Sequence, residues 1–209
     1  GGDELFMGYG AYNWAQTLNS KWIPFARNPL YYASKLMNDK YQRAGNLFDY
    51  SSKENLKSHI FSQEQYFFSE KALDNILVDD DFNFKKENFT RVTGRKLTSR
   101  EDQSLWDFKY YLPYDLLVKV DRASMHYSLE IRVPLLDYRI IEFAFNLSSD
   151  LKIKGGEMKY LLKQVLYDYL PKELFDRPKW GFSIPLKKWL KADLAYLVEN
   201  YASKNIVDK

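Results

Sequence analysis

Tyr114-Asp115-Leu116-Leu117-Val118-Lys119-Val120-Asp121-Arg122-Ala123-Ser124-Met125, continued by Leu129-Glu130-Ile131-Arg132-Val133-Pro134-Leu135-Leu136-Asp137, is the stretch on which the reading of this chain turns. Leu116, Leu117, Val120 and Ser124 recur at helical spacing and define one face of a helix over 114–127, while Asp115, Lys119 and Arg122 share another. Asp121, Arg122, Glu130 and Arg132 interrupt apolar sequence, and ordinary core building has no use for charge there. Two roles are open. The four form buried ion pairs that lock this helix against the segment ending in Pro134, because a buried charge needs a partner. Alternatively, Lys119 and Arg122 reach an anionic substrate.

Outward from this stretch, helical signals dominate. On its N-terminal side Thr98-Ser99-Arg100-Glu101 has the spacing of a capping box, which opens a helix to about Tyr111. Pro113 is expected to end that helix. On the other side Asp137 caps a helix over Tyr138 to Asn146, and a further helix runs from Gly155 to Leu170, stopped by Pro171. The flanks add helices over Tyr12 to Leu18, Leu30 to Phe48, Ser69 to Val78 and Leu186 to Tyr201. Only Asn83 to Asn88 and Ile131 to Leu135 read as strands, and neither adjoins a glycine hairpin turn. The expected class is mainly α.

Composition narrows the function without naming it. The 209 residues suffice for one large domain or two small ones. The 31 basic and 28 acidic residues are interspersed and leave a net charge of +3, so no dominant field argues for nucleic acid or membrane binding. The chain has no Cys, which excludes disulfides and thiol chemistry, and its apolar runs are too short to span a bilayer. A cytoplasmic location is the simplest expectation. The many Tyr and Phe fall at helical spacing and read as packing groups. His59 and His126 are too far apart to suggest a metal pair, and Asp79-Asp80-Asp81 lacks the glycine and distal Glu of a calcium loop.

Three other segments carry candidate chemistry. Gly1-Gly2-Asp3-Glu4-Leu5-Phe6 is a glycine-acid loop running into apolar sequence, either an exposed turn or a site where backbone approaches phosphate and a carboxylate holds a divalent ion. Lys159 stands near a helix start, where the dipole attracts anions, with Lys163 a turn later; each is otherwise a solvated surface lysine. In Arg177-Pro178-Lys179-Trp180-Gly181-Phe182, Pro and Gly shape a turn that presents Lys179.

These blocks, in this order, resemble the synthetase domain of the glutamine-dependent asparagine synthetase family: a G-x-D-E-x-F-x-G-Y opening, D-x-L-L-x-K-x-D-R-x-S-M with E-x-R-V-P-x-L-D, K-Y-L-L-K, and R-P-K-x-G-F. The resemblance implies the helical C-terminal part of an ATP-pyrophosphatase-like synthetase domain, with ATP and Mg²⁺ as cofactors. It implies that Gly2, Asp3, Lys159 and Lys163 bind ATP or pyrophosphate, that Asp3 holds Mg²⁺, and that Glu4 and Lys159 serve catalysis at an acyl-adenylate. Lys119, Asp121, Arg122, Glu130, Arg132 and Lys179 would bind substrate or shape the site. The implied small-molecule partners are aspartate or another carboxylate and glutamine-derived ammonia, with a homodimer possible. A sugar uronate as acceptor, or a non-catalytic helical interaction module, are the rival readings.

Three features depart from the family pattern. No S-G-G-x-D-S pyrophosphate loop and no N-terminal Cys occur in these residues, and Met7 stands where the family usually has Gly. The expectation is a piece of a larger enzyme, inactive by itself, with the backbone after Phe6 displaced.

Overall fold

The computed structural model describes residues 1–65, 68–69, 76, 95–175 and 184–202. The helix expected at Ser69 to Val78, the strand at Asn83 to Asn88, Asp79-Asp80-Asp81 and the turn that carries Lys179 fall wholly or mostly outside them. The chain divides into two compact units, residues 1–168 and 169–209.

The first unit is built from helices: α1 (Gly2–Leu5), α2 (Ala11–Leu18), α3 (Ile23–Lys35), α4 (Asp39–Asn46), α5 (Leu56–Glu64), α6 (Ser99–Trp106), α7 (Val118–Met125), α8 (Tyr138–Asn146), α9 (Ser149–Lys152) and α10 (Tyr160–Tyr167). A two-stranded antiparallel ribbon, β1 (Ile153–Lys154) with β2 (Glu157–Met158), pairs Ile153 with Met158 and Lys154 with Glu157. The second unit contributes a 3-10 turn at Lys172–Leu174 and the short helices α11 (Leu186–Lys191) and α12 (Ala195–Tyr201), which divide the single helix expected over 186–201.

The capping box forms as its spacing predicts. Thr98 Oγ1 accepts from the Glu101 amide at 3.3 Å, and Glu101 Oε2 accepts from the Thr98 amide at 2.9 Å. Arg95 adds Nη2 to Glu101 Oε1 at 2.9 Å and closes the start of α6. Burial pushes the Glu101 carboxyl up, but the bonds from Arg95 and Thr98 outweigh it and hold it below the usual range. Asp137 caps α8 through the Arg139 amide, also as expected.

Pro113 does not end a helix. It lies inside an eleven-residue π-helical segment, Asp107–Leu117, that runs without a break from α6 into α7. In an α-helix the pyrrolidine ring strikes the carbonyl four residues back, and the wider π turn moves that carbonyl away. The helix expected over Leu30 to Phe48 is likewise two. α3 includes Pro29 and starts earlier, and Asn38, extended and with its side chain accepting from the Tyr41 amide, caps α4. The helix expected from Gly155 begins only at Tyr160. Gly155 and Gly156 have φ of 58° and 84° and form the two-residue turn of the ribbon, a conformation that glycine adopts without a Cβ penalty. Ile131 to Val133 is not a strand in this structure, and Pro134–Leu136 is a 3-10 turn.

Two larger apolar clusters and a small third one fill the first unit. One joins α2 to α5 through Ala11, Ala15, Leu18, Leu47, Leu56 and Ile60. The other packs Leu5 and Phe6 against Phe108, Ile141, Ala144 and Leu162. Residues 5–11 cross from the second cluster to the first, with Met7 buried between them against Tyr12 and Ile153. The loop after Glu4 is therefore anchored on both sides by burial, at about 1.5–3 kcal/mol for each large side chain.

Candidate active site

α1 is a single turn, and its residues divide by direction. Gly2 lies against Leu135 and Leu162 in an apolar contact. Asp3 points to half-buried ground, where its Oδ1 meets Lys159 Nζ at 2.8 Å. Glu4 turns inward and is 0% exposed; its Oε1 accepts from the Tyr9 phenol at 3.0 Å.

The Asp3–Lys159 pair depends on Gly8. A Cβ at Gly8 would stand 2.1 Å from both Asp3 Oδ1 and Lys159 Cε, so only a residue without one lets the pair lie across the loop. The turn before it is left-handed at Met7, with φ of 57°, where an L side chain costs roughly 1–2 kcal/mol. Burial of the Met7 side chain is of similar or larger size and offsets it. Met7 thus takes a left-handed conformation that glycine adopts without penalty, at the position where Gly was expected.

Lys159 is itself left-handed, with φ of 56°, and is the residue immediately before α10. That turn brings its ammonium to Asp3 while the first amides of α10 remain at the same end. Lys163, one turn into α10, pairs with Glu157 Oε1 of the ribbon at 2.8 Å. The glycine turn thus seats Glu157 beside Lys163. Of the sequence-predicted residues, Asp3 and Lys159 are brought together, while Glu4 turns inward to Tyr9; Lys163 follows on the same helix as Lys159 with its own counter-charge.

The charged residues of the 114–137 stretch behave differently. Asp121, Arg122, Glu130 and Arg132 are all exposed, Arg132 at 86% and Glu130 at 66%, and among the described residues these last two pair only with each other. The buried ion pairs expected there do not form among the described residues. No described element packs over these side chains, and in water an exposed pair gains little. Lys119 pairs with Asp115 at 3.1 Å, one helical turn away, and is exposed as well.

Several residues of the site region were not singled out from sequence. Ser104 donates to the Glu4 carbonyl at 2.6 Å, and Asp107 accepts from Gln103 Nε2 at 3.0 Å behind it. Tyr12 is fully buried beside Asp107, and its Oη makes no hydrogen bond of good geometry. Burial, then the neighbouring Glu4 and Asp3 charges, push the Tyr9 phenol far up. Burial likewise raises the Asp107 carboxyl to about 7. The visible signal was an acid between Trp106 and Phe108, a position that apolar packing would fill. A separate cavity of about 400 Å³, lined by Trp14, Leu30, Ala33, Met37, Tyr41 and Phe48, is almost wholly apolar and carries none of this chemistry.

The sequence profile of asparagine synthase matches residues 1–209. The chain belongs to the asparagine synthase family. Among curated relatives of this family, the Bacillus subtilis (strain 168) protein named asparagine synthetase [glutamine-hydrolyzing] 1 is 28% identical over all of this chain and 33% of its own length. A putative asparagine synthetase [glutamine-hydrolyzing] of Mycobacterium bovis is 40% identical over 41% of this chain and 13% of its own. The Gallus gallus asparagine synthetase [glutamine-hydrolyzing] is 36% identical over 46% and 17% respectively. The chain thus spans a third of the Bacillus subtilis relative. No solved structure matches it significantly. No described helix is long and apolar enough to cross a membrane, and the mainly helical class expected from sequence is the one observed.

For a family member the donor set is informative. One carboxylate, Asp3, with Lys159 against it, would fit a Mg²⁺ that arrives with phosphates, since that ion keeps much of its water and takes only one or two protein carboxylates. Among the described residues no group of three His, Cys, Asp or Glu would hold a metal alone.

Proposed function

We propose that the complete protein is an ATP-dependent amidotransferase that makes an amide from a carboxylate, with aspartate as the acceptor and glutamine as the source of ammonia. The observation that carries this reading is the Asp3–Lys159 pair laid across Gly8 at the start of α10. A carboxylate has no good leaving group, and ATP supplies one by converting it to an acyl-adenylate with release of pyrophosphate. Mg²⁺, held by Asp3, would neutralise charge on the phosphates. Lys159 would stabilise the negative charge that grows on the departing pyrophosphate, with the amides at the start of α10 behind it. Lys163 adds a second cation one turn away, and Gly2 brings the loop backbone close.

Glu4 has a different task. Its carboxylate is buried and fixed by Tyr9, so it suits a cationic group of the acceptor or the ammonia that attacks the adenylate. Lys119, Asp121, Arg122, Glu130 and Arg132 present charge on one exposed stretch, and they would meet substrate or another part of the complete protein. Lys179 is proposed for the same role on sequence alone.

The test is release of pyrophosphate by the complete protein given MgATP, aspartate and glutamine. Lys159→Ala is expected to lower kcat by roughly 10²–10³-fold, the loss typical of one donor to developing charge. Residues 1–209 alone are expected to release none. Absence of aspartate-dependent pyrophosphate from the complete protein overturns the reading.

A further inference from the structure

α1 is one turn of helix, and a single turn does not keep its shape in water, because ordering it costs more backbone freedom than its few hydrogen bonds return. What fixes Glu4 must come from outside α1. The following loop supplies part of it: the Phe6 amide donates to the Gly2 carbonyl at 3.1 Å and, across the left-handed turn at Met7, the Gly8 amide donates to the Asp3 carbonyl at 2.8 Å. The next carbonyl in line is that of Glu4, and the group that meets it is the Ser104 hydroxyl, 2.6 Å away on α6. Ser104 is fully buried, so water does not compete for this bond. The other end of the same residue is held separately, where Glu4 Oε1 accepts from the Tyr9 phenol at 3.0 Å. The Tyr9 ring lies 6.0 Å from that of Tyr111, on the π-helical segment that continues α6. One unbroken helical run therefore braces Glu4 at its main chain and lies against the ring that holds its carboxylate.

We propose that Ser104 is a positioning residue for Glu4, its hydroxyl fixing the Glu4 main chain so that the buried carboxylate reaches Tyr9 and stands at one place in the site. The inference rests on the amidotransferase reading for its kinetic arm alone. Without the hydroxyl, the Glu4 carbonyl keeps its burial and loses this donor, so the turn shifts to find another. A shift of about 1 Å in a reacting or orienting group is enough to cost about a hundredfold in rate.

The test uses the complete protein with Ser104→Ala, Glu4→Gln and the double variant. Ser104→Ala is expected to lower kcat for pyrophosphate release about 10–100-fold. In the Glu4→Gln background the same substitution is expected to change kcat by less than about twofold, because a residue that acts through Glu4 has nothing left to place. A purely structural serine would cost the same factor in both backgrounds, and that result overturns the inference, as does wild-type kcat in Ser104→Ala. Hydrogen exchange without substrate reads the hold directly: the Phe6 and Gly8 amides are expected to exchange about tenfold faster in Ser104→Ala, while α5 exchanges as before. If the wild type releases no pyrophosphate, the amidotransferase reading falls alone and exchange decides Ser104. Unchanged exchange at Phe6 and Gly8, or equal acceleration in α5, then overturns the inference.

Discussion

Glu4 and Asp107 lie inside the first unit, walled by Tyr9, Tyr12, Gln103 and Ser104, whereas Asp121, Arg122, Glu130 and Arg132 stand in water with Tyr114, Tyr127, Leu129 and Ile131 exposed among them. Both regions are stretches of charge set in apolar sequence, yet packing encloses one and leaves the other open. The enclosed acids act on one another and on Tyr9 and Tyr12; the open ones interact with solvent and each other. The contrast shows that charge in apolar sequence marks a place where something must face it, without saying whether the same fold supplies the partner.

The sharpest test of the enclosed region is its pH dependence. An unfolded aspartate loses its proton near 3.9, while folded Asp107 keeps its own to about 7. Between these values the folded chain holds the extra proton, so this group's contribution is complete below about pH 4 and is lost as pH rises through 7. Asp107→Asn removes that loss and is expected to raise stability at pH 8 by up to about 4 kcal/mol relative to pH 4. Urea midpoints of the chain at pH 4, 6 and 8 measure it; parallel trends in both proteins would show Asp107 already ionised. Glu101 has the opposite sign. Held below the usual range, it stabilises above about pH 4 and that share is lost as pH falls through its depressed value.

Next in size is the apolar frame. Leu5→Ala opens a cavity beside Phe6 and Ala144 and is expected to cost about 3 kcal/mol. Val120→Ala, on the exposed helix α7, is expected to cost less than about 0.5 kcal/mol. Similar losses from the two would mean that the signature helix is covered after all.

Where sequence was legible, the cause was local. The capping box at Thr98 and Glu101 and the Asp137 cap need only hydrogen bonds within three residues, so their letters suffice. α2 followed from its own periodicity. The failures come from partners distant in sequence or from backbone states that letters do not announce. Pro113 reads as a stop until a π segment absorbs its ring, and Gly155-Gly156 reads as a helix start until both residues turn left-handed. At the candidate site, motif resemblance named Asp3 and Lys159, which the fold pairs across 156 positions of sequence, the difference of their numbers. The burial of Tyr12 and Asp107 behind them was hidden because it depends on elements distant in sequence.

Gly8→Ala separates stability from site geometry at a smaller scale. The new methyl meets the ends of two flexible side chains, so Asp3 and Lys159 swing aside at a cost of about 1 kcal/mol, the size of a modest surface rearrangement. The pair itself is lost, and pyrophosphate release by the complete protein is expected to fall about as far as in Lys159→Ala. Full activity in Gly8→Ala would show that the reaction does not need the two groups where this loop holds them.

The smallest effect is the most telling for the open region. Glu130 and Arg132 pair at the surface with no described element covering them, so Glu130→Ala, Arg132→Ala and the double variant form a cycle whose coupling is expected to lie between about 0 and 1 kcal/mol. Each single substitution should move the midpoint by no more than about 0.5 kcal/mol. A buried pair would behave otherwise, with about 3–5 kcal/mol lost on removal of either partner. The cycle is best run twice, on residues 1–209 and on the complete protein. A coupling that stays small in the first and grows above about 2 kcal/mol in the second would mean that the complete protein encloses this stretch, so that its charges, like Glu4 and Asp107, are met inside a fold. Equal small couplings in both would leave these groups facing solvent or substrate, and their worth would then lie in catalysis rather than in stability.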